Sequence, residues 1–237
     1  MIFNVHAGHN PDGKIACGAI GYLKESTENR KIKDEVIRLL RLLGHTVYDC
    51  TVDDGINEND NLAKIVQKCN AHKVDVDLSI HLNAAAKKVK DGKTTGVESY
   101  VYSMNSASVP YATRITNAIA ELGFTNRGVQ AKQFYVIRKT NAPAVLVECL
   151  FCDDPDDVAI YDYKSIAEAI VFGLTGEKYV PVVTAPTPDD IDKTVEEPTN
   201  NGEFYRVQVG AYTVKGNAYR MRDKLKELGF DAIIVKA

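Results

Sequence analysis

Two histidines and two glutamates stand beside probable strand or helix ends, where a fold could bring their side chains together. His9 and His81 each follow a short apolar segment, Glu25 opens a helical pattern, and Glu148 follows the apolar run 144–147. Neutral imidazole and carboxylate are common ligands of catalytic zinc, which takes three protein ligands and leaves one coordination position open. A further carboxylate is then needed to accept a proton from the attacking water. The four residues together predict a zinc hydrolase.

Each of these residues also has an ordinary structural explanation when it is taken alone. A single histidine is more often a structural residue than a ligand, and an acid such as Glu25 or Glu28 at a helix start is stabilised by the helix dipole. Glu148 is less ordinary, because a carboxylate after a buried apolar run needs a compensating charge or hydrogen bonds. The zinc hypothesis therefore depends on the combination, and these arguments leave open which glutamate is the ligand.

The elements that would position these side chains alternate between strand and helix patterns over residues 1–178. This alternation predicts an α/β fold, an open, twisted and mostly parallel sheet flanked by helices. The predicted strands are 2–5, 45–48, 76–80, 96–101, 135–137 and 144–147, and the predicted helices are 32–43, 62–69, 112–122 and 165–174. Because ligands gather beyond the carboxyl ends of parallel strands, we expect His9, His81 and Glu148 to converge.

Composition and charge exclude several classes of protein. The net charge of −3 over 237 residues argues against a dedicated nucleic-acid binder, since phosphate contacts demand an excess of Lys and Arg. No segment approaches the ~20 apolar residues that span a bilayer, so no membrane partner is expected. Residues 1–5 run directly into a strand pattern without the features of a signal peptide. We therefore expect synthesis in the cytoplasm without a signal peptide.

The composition changes after residue 178. Residues 179–203 hold four of the eight prolines and six acids against one lysine, about −5, which predicts an extended acidic linker. Residues 204–237 then show strand patterns at 205–211 and 233–235 around a helical pattern at 218–228. Seven basic residues against three acidic ones give this unit about +4. It is too small for an independent core, so we expect it to associate with a partner.

Four motifs along residues 1–178 together resemble the zinc-dependent N-acetylmuramoyl-L-alanine amidases of the third amidase type. They are Gly8-His9, the segment 25–29 (Glu-Ser-Thr-Glu-Asn), the segment 79–84 (Ser-Ile-His-Leu-Asn-Ala) and Val147-Glu148. Any one of these motifs is weak, but the four in this order are specific. The resemblance implies an enzyme that hydrolyses the amide between N-acetylmuramic acid and the L-alanine of the peptidoglycan stem peptide.

The resemblance also implies roles for individual residues. His9, Glu25 and His81 would be the zinc ligands, Glu148 the catalytic carboxylate, and Asn83 would lie near the substrate. Glu25 is favoured over Glu28 because it keeps the family's spacing to the asparagine that ends the second motif. The family's usual lead-in Asp-Pro-Gly-His-Gly reads His-Ala-Gly-His-Asn here, at residues 6–10. This departure makes His6 a candidate to support His9.

The tail, residues 204–237, resembles one repeat of the sporulation-related (SPOR) cell-wall-binding domain. The similarity lies in residues 204–212, 217–218 and 228–232. SPOR domains normally hold two such units and bind glycan strands of peptidoglycan. A single unit would leave sheet edges unpaired, which predicts a homodimer through the tail.

Two settings fit an amidase without a signal peptide, a phage endolysin and a mother-cell autolysin of a sporulating bacterium. In both, the enzyme would act on the cell wall after release. Two other functions stay open at this point: a zinc carboxypeptidase-like peptidase acting on wall peptides, and a catalytically inactive wall-binding protein. Retention of all four site residues argues against the inactive protein.

Overall fold

A computed structural model of the chain describes residues 1–85, 90–179, 215–227, 229–230 and 232–234. The chain divides into two compact units, residues 1–181 and 182–237. Within the described parts of the chain, no helix is long and apolar enough to cross a bilayer.

The described part of the first unit alternates strands and helices, and that of the second holds a single helix. The strands are β1 Ile2–Ala7, β2 Thr46–Asp49, β3 Val76–Asn83, β4 Val97–Val101, β5 Asn126–Ala131 and β6 Ala144–Phe151. The helices are α1 Glu25–Leu42, α2 Glu58–Asn70, α3 Val109–Ala120, α4 Tyr135–Lys139, α5 Pro155–Ala159, α6 Tyr163–Thr175 and, in the second unit, α7 Lys215–Glu227.

The six strands form one sheet in the order β2-β1-β3-β6-β4-β5. Strands β2, β1, β3 and β6 are parallel, β4 is antiparallel to β6, and β5 is parallel to β4. The predicted α/β class with a mostly parallel sheet is therefore confirmed. The carboxyl ends of β1, β3 and β6 meet at one edge of the sheet, and β4 and β5 present their amino ends at that same edge.

The two faces of the sheet differ in polarity because successive side chains of a strand point to opposite faces. One face carries apolar residues such as Phe3, Leu78 and Val147, which pack in one core with α1, α3 and α6. The other face carries polar residues along the same strands, including His6, Ser79, His81, Glu98 and Glu148. The residues that could take part in metal binding or catalysis therefore share the second face.

Helix α1 places one of these residues at its start. Its apolar positions Ile32, Val36 and Leu40 recur at helical spacing and are buried against the sheet. Gly44 follows the helix at φ 82°, a left-handed conformation typical of a helix end. This packing directs the amino end of the helix, and with it Glu25, toward the edge where β1 and β3 end.

Helices α3 and α6 approach each other closely at Gly173. A methyl group added there would lie 2.6 Å from the Cα of Ile115, so neither helix could accept it without moving. We expect Gly173→Ala to lower the free energy of unfolding by at least about 1 kcal/mol, because overpacking outweighs the gain in helix propensity. Urea unfolding measures the change. Glu168→Ala, on the exposed side of α6, is the matched control, and equal stability of the two variants would contradict the packing argument.

The strand predicted at 135–137 is wrong, because these residues begin helix α4. Short apolar runs do not distinguish a strand from a helix, and here tertiary packing decides. Val136 packs with α2 residues while Ile137 packs with Tyr100 and Leu146, so adjacent residues fill two different clusters. A helical turn satisfies both contacts.

Two elements of the first unit were not predicted, β5 and α5. Strand β5 has the sequence Asn-Arg-Gly-Val-Gln-Ala and is the outermost strand of the sheet beside β4, where a polar strand is tolerated. Helix α5 is a short turn that Asp154 begins, by accepting a hydrogen bond from the backbone of Asp156.

In the second unit, helix α7 confirms the helical pattern predicted near 218–228. Ile233 and Ile234, predicted to lie in a strand, are outside any strand. The other predicted strand, 205–211, falls outside the described residues. So does the predicted linker, 179–203, apart from its first residue.

Candidate metal centre and active site

His9, Glu25 and His81 meet at the edge of the sheet. One ligand atom from each residue can be chosen so that all three lie within 4.8 Å of one another. Glu25 Oε1 lies 2.9 Å from His81 Nδ1 and 3.3 Å from His9 Nε2, and the two imidazole rings stand edge to face with centroids 4.9 Å apart. Three residues from a loop, a helix start and a strand therefore form one cluster of potential metal ligands.

The loop that carries His9 is held in an unusual conformation. His9 has φ 64°, in the left-handed region that a residue with a side chain rarely adopts. Two side chains from α1 hold its backbone: Asn29 Nδ2 donates to Gly8 O at 3.1 Å, and Arg30 donates to His9 O at 2.9 Å. Strained backbone persists where the surroundings fix it, which is common at functional sites.

Two glycines let the backbone pass close to the cluster. A methyl group at Gly8 would lie 1.9 Å from His81 Cε1, and one at Gly18 would lie 2.4 Å from Glu25 Oε2. Neither position has room for a side chain. Asn10 fixes the loop further, because its buried amide bonds to the backbone of Ile15 and Gly55.

Glu25, and not Glu28, faces the imidazoles. The Glu25 side chain is only 3% exposed, and Ala19 N donates to its Oε2 at 2.7 Å. Burial opposes its charge, but hydrogen bonds with His81 and His9 hold the pKa of this carboxyl well below its usual range. Glu28 instead accepts hydrogen bonds from Lys31 and Tyr161, each at 2.8 Å.

The two imidazoles differ in protonation tendency. Burial lowers the pKa of His81, and the hydrogen bond and charge of Glu25 only partly offset it. Burial also acts on His9, but there the hydrogen bond and charge of Glu25 outweigh it and raise the pKa. His81 Nε2 lies 3.0 Å from Ser79 Oγ on the same strand, which leaves Nδ1 directed at Glu25.

His6 lies on the same face but is not joined to His9 by a hydrogen bond. It pairs in register with Ser79 of β3, and in the described part of the chain neither of its ring nitrogens has a hydrogen-bond partner. Burial, together with the neighbouring His81, lowers the pKa of His6 to about 3, so the ring is neutral. In the described part of the chain, the hydrogen bond from outside the cluster to one of its histidine rings comes from Ser79, whose Oγ lies 3.0 Å from His81 Nε2.

Glu148 lies directly beside the cluster. On β6 it pairs in register with His81 of β3 and with Glu98 of β4. Among the described residues, its buried Oε2 atom has no hydrogen-bond partner. Burial first, and then the charges of Glu25 and Glu98, raise the pKa of this carboxyl well above its usual range. A carboxyl group with such surroundings is suited to exchange protons with a reacting group.

Sequence reasoning missed Glu98, a buried carboxylate of this face with four hydrogen-bond donors around it. It is 3% exposed and accepts hydrogen bonds from Asn83 Nδ2 at 2.8 Å, Tyr100 Oη at 2.6 Å, Arg127 Nε at 2.9 Å and Gln130 Nε2 at 3.3 Å. The signal was a glutamate inside the predicted strand 96–101, since a buried carboxylate needs partners.

Asn83 lies near Glu148, but its side chain is engaged. Its amide nitrogen donates to Glu98, and its Oδ1 accepts from Ala84 N at 2.8 Å. The register between β3 and β6 shifts between His81 and Asn83, and Asn83 pairs with Phe151. The predicted contact of Asn83 with substrate stays a prediction.

The sheet and the cluster at its edge define an α/β domain with a candidate metal centre. Residues 3–175 match the family model of N-acetylmuramoyl-L-alanine amidase, Amidase_3, so the chain belongs to this family. The resemblance seen in the four sequence motifs is thereby confirmed. A second family model, the SPOR domain, matches residues 184–236 and confirms the resemblance of the tail. This match begins within the segment predicted as a linker, and the predicted domain boundaries stay predictions.

Individual relatives agree with the family. The chain is 37% identical over 179 residues to an uncharacterised protein of Clostridium perfringens, covering 72% of this chain and 51% of that protein. It is 27% identical over 188 residues to the sporulation-specific N-acetylmuramoyl-L-alanine amidase of Bacillus subtilis, covering 78% of this chain and 64% of that protein. It is 31% identical over 174 residues to the endolysin of Bacillus phage SPP1, covering 70% of this chain and 60% of that protein. The chain thus spans about half to two thirds of the length of these relatives.

A solved structure supports the same fold. The catalytic domain of CwlV, an N-acetylmuramoyl-L-alanine amidase from Bacillus (Paenibacillus) polymyxa, superposes with a TM-score of 0.62 at 27% identity. The superposition covers 74% of this chain and 96% of that domain. The amidase family, rather than a carboxypeptidase-like family, is the one that the comparisons favour.

Proposed function

We propose that the protein is a peptidoglycan hydrolase that cleaves the amide between N-acetylmuramic acid and the L-alanine of the stem peptide. The observation that carries the proposal is the meeting of His9, Glu25 and His81 beside Glu148, in a chain of the amidase family. An inactive wall-binding protein would have no need to keep a strained histidine, a buried glutamate and an unpartnered carboxyl group in one place.

The donor set fits zinc. Two imidazole nitrogens and one carboxylate oxygen are ligands that catalytic zinc commonly uses, and in a tetrahedral site such atoms lie roughly 3.4 Å apart. The three ligand atoms lie within 4.8 Å of one another, so small side-chain rotations would suffice. We propose His9, Glu25 and His81 as the ligands. A bound zinc ion would supply Lewis-acid polarisation of the scissile carbonyl and would make water more acidic.

The side chains of this protein then have distinct tasks. Glu148 would take a proton from the attacking water and deliver it to the leaving amine of L-alanine, which a carboxyl group with a raised pKa can do in both directions. Ser79 would hold the His81 ring, while Arg30 and Asn29 would hold the loop of His9. The candidate substrate residue, Asn83, would line the same edge of the sheet through its backbone and its amide.

Digestion of purified cell wall tests the bond that is cleaved. Zinc-loaded protein should release new amino-terminal L-alanine, detected by end-group labelling, without new reducing sugars. New reducing ends would identify a glycosidase. Release of free amino acids or short peptides from the carboxyl end of the stem, without amino-terminal L-alanine, would identify the carboxypeptidase-like alternative.

For the SPOR domain, we propose that the tail binds glycan strands and that it forms a homodimer. The support is the family match and the basic composition of residues 204–237, about +4, which suits an acidic polymer. Two linked sites would raise the avidity for a polymeric wall through effective concentration. We also propose that the enzyme acts on the wall after release from the compartment that makes it, as an endolysin or a mother-cell autolysin does.

Removal of the second unit should therefore change both mass and wall binding. We expect the full chain to sediment as a dimer at micromolar concentration and to bind wall more tightly than a version that ends at residue 181. Analytical ultracentrifugation and wall pull-down measure the two properties. If both proteins run as monomers, the dimer fails, and if both bind wall equally well, the targeting role fails.

A further inference from the structure

A lysine beyond the end of β5 lies over aromatic rings on the polar face of the sheet. The backbone of Lys132 donates to Val101 O at 2.9 Å, which continues the pairing of β5 with β4. Its amine lies 4.4 Å from the centroid of the Tyr100 ring and 5.6 Å from that of Phe134. These rings stand edge to face with centroids 5.1 Å apart. The aromatic pair therefore holds the ammonium group by cation–π contact.

A chain of hydrogen bonds relates this lysine to the candidate active site. The Lys132 amine lies 3.4 Å from Tyr100 Oη, and Tyr100 Oη donates to Glu98 Oε1 at 2.6 Å. Glu98 pairs in register with Glu148 on the neighbouring strand. The Tyr100 side chain is buried, so its ring cannot swing away from Glu98. The ammonium group therefore contacts the tyrosine that bonds to the register partner of Glu148.

The positive charge of Lys132 is left available for a ligand. The nearby carboxylate of Glu98 is paired with Arg127, whose Nε lies 2.9 Å from Glu98 Oε2. In the described ranges, no carboxylate forms an ion pair with the Lys132 amine. The Lys132 residue is exposed, so a bound molecule could reach it. The charge of Lys132 acts on Glu148, and an ammonium group held in this way without an ion pair is suited to bind an anion by a charge-assisted hydrogen bond.

We propose that Lys132 binds a free carboxylate of the stem peptide and so makes the enzyme select peptides that carry one. Lys132 follows the carboxyl end of β5, away from the carboxyl ends of β3 and β6, but its side chain reaches back to within 3.4 Å of Tyr100 Oη, the donor to Glu98. Glu98 and Glu148 stand on neighbouring strands, roughly 5 Å apart, and one extended residue spans about 3.3–3.6 Å. A peptide bound over Glu98 from Glu148 would thus bring a carboxylate one to three residues beyond the scissile amide to the Lys132 amine. The proposal deepens the amidase function proposed above and rests on it.

Two synthetic substrates test the selection. Both are N-acetylmuramoyl tripeptides that begin with L-alanine, and they differ only in whether the α-carboxylate of the second residue, a D-glutamate, is free or amidated. We expect wild-type zinc-loaded protein to prefer the free acid by about tenfold in kcat/KM, mainly through KM, the scale of one charge-assisted hydrogen bond. Lys132→Met should reduce that preference to near one, while Lys132→Arg should retain most of it.

Controls separate this proposal from a general loss of function. Lys132→Met should keep the far-ultraviolet circular dichroism spectrum and the zinc content of wild type, which would show that the variant is folded. Lys73→Met, an exposed lysine before β3, which lies three strand spacings from β5 in the sheet, should keep the tenfold preference. If wild type and Lys132→Met cleave both substrates with the same preference, the carboxylate subsite is wrong and the amidase function stands. If wild type releases L-alanyl peptide from neither substrate, the amidase function fails and the subsite with it.

Discussion

Glu148→Gln should fold, bind zinc and lose nearly all amide hydrolysis. The amide side chain keeps the shape of the carboxyl group but cannot accept a proton from water. General acid–base groups typically contribute about 10²- to 10⁴-fold, and we expect a loss of kcat in that range with little change in zinc content. The rate at which new amino-terminal L-alanine appears on digestion of purified wall measures the loss. Glu121→Gln, an exposed glutamate after α3, is the matched control and should keep full activity.

A second measurement distinguishes a catalytic Glu148 from a structural one. Its buried Oε2 atom has no hydrogen-bond partner in the part of the chain that the structure describes, and burial and neighbouring charges raise the pKa of this carboxyl group. Where a glutamate has a higher pKa in the folded than in the unfolded protein, the free energy of unfolding falls as pH rises above the unfolded pKa, about 4.3. In metal-free protein, Glu148→Gln should therefore gain stability over wild type, and gain more at pH 7 than at pH 4. Near-normal turnover together with lower stability would show that Glu148 is a structural residue.

The parts of the site that could be predicted from the sequence follow strong local patterns. His81 and Glu148 stand on buried parallel strands whose apolar runs are easy to read, and the direction of those strands brings their ends to one edge. Glu25 begins a long amphipathic helix with a regular apolar stripe. The resemblance to the amidases selected Glu25 over Glu28, and the structure supplies the physical reason, since Glu28 is turned toward Tyr161.

The parts that were missed depend on contacts between distant segments. Glu98 is buried on a strand that otherwise reads as apolar, and its partner Arg127 lies on the polar edge strand β5, which has little strand signal of its own. The helical conformation of α4 follows from the packing of Val136 and Ile137 into two different clusters. Neither cluster is local in sequence. Local patterns place the three candidate ligands, whereas the surroundings of Glu148 follow only from the sheet order β3-β6-β4-β5.

Substitutions in the ligand cluster should produce a graded loss of zinc. We expect His81→Ala and Glu25→Gln to lower zinc affinity by more than about 100-fold, since even outer-shell partners of metal ligands contribute 10- to 100-fold. Ser79→Ala, which removes the hydroxyl 3.0 Å from His81 Nε2, should fall within that smaller range. Competition with a chromophoric chelator measures the affinities, and metal analysis of the purified proteins gives the zinc content.

The controls for this series use the same residue types outside the cluster. Glu28→Gln should keep its zinc, because Glu28 bonds to Lys31 and Tyr161 instead of the imidazoles. His72→Ala should also keep it, because the His72 ring stacks on Tyr48 with centroids 3.8 Å apart. Stoichiometric zinc in folded His81→Ala would refute the assignment. Loss of zinc from Glu28→Gln together with its retention in Glu25→Gln would move the ligand to the next turn of α1, against the geometry of the cluster.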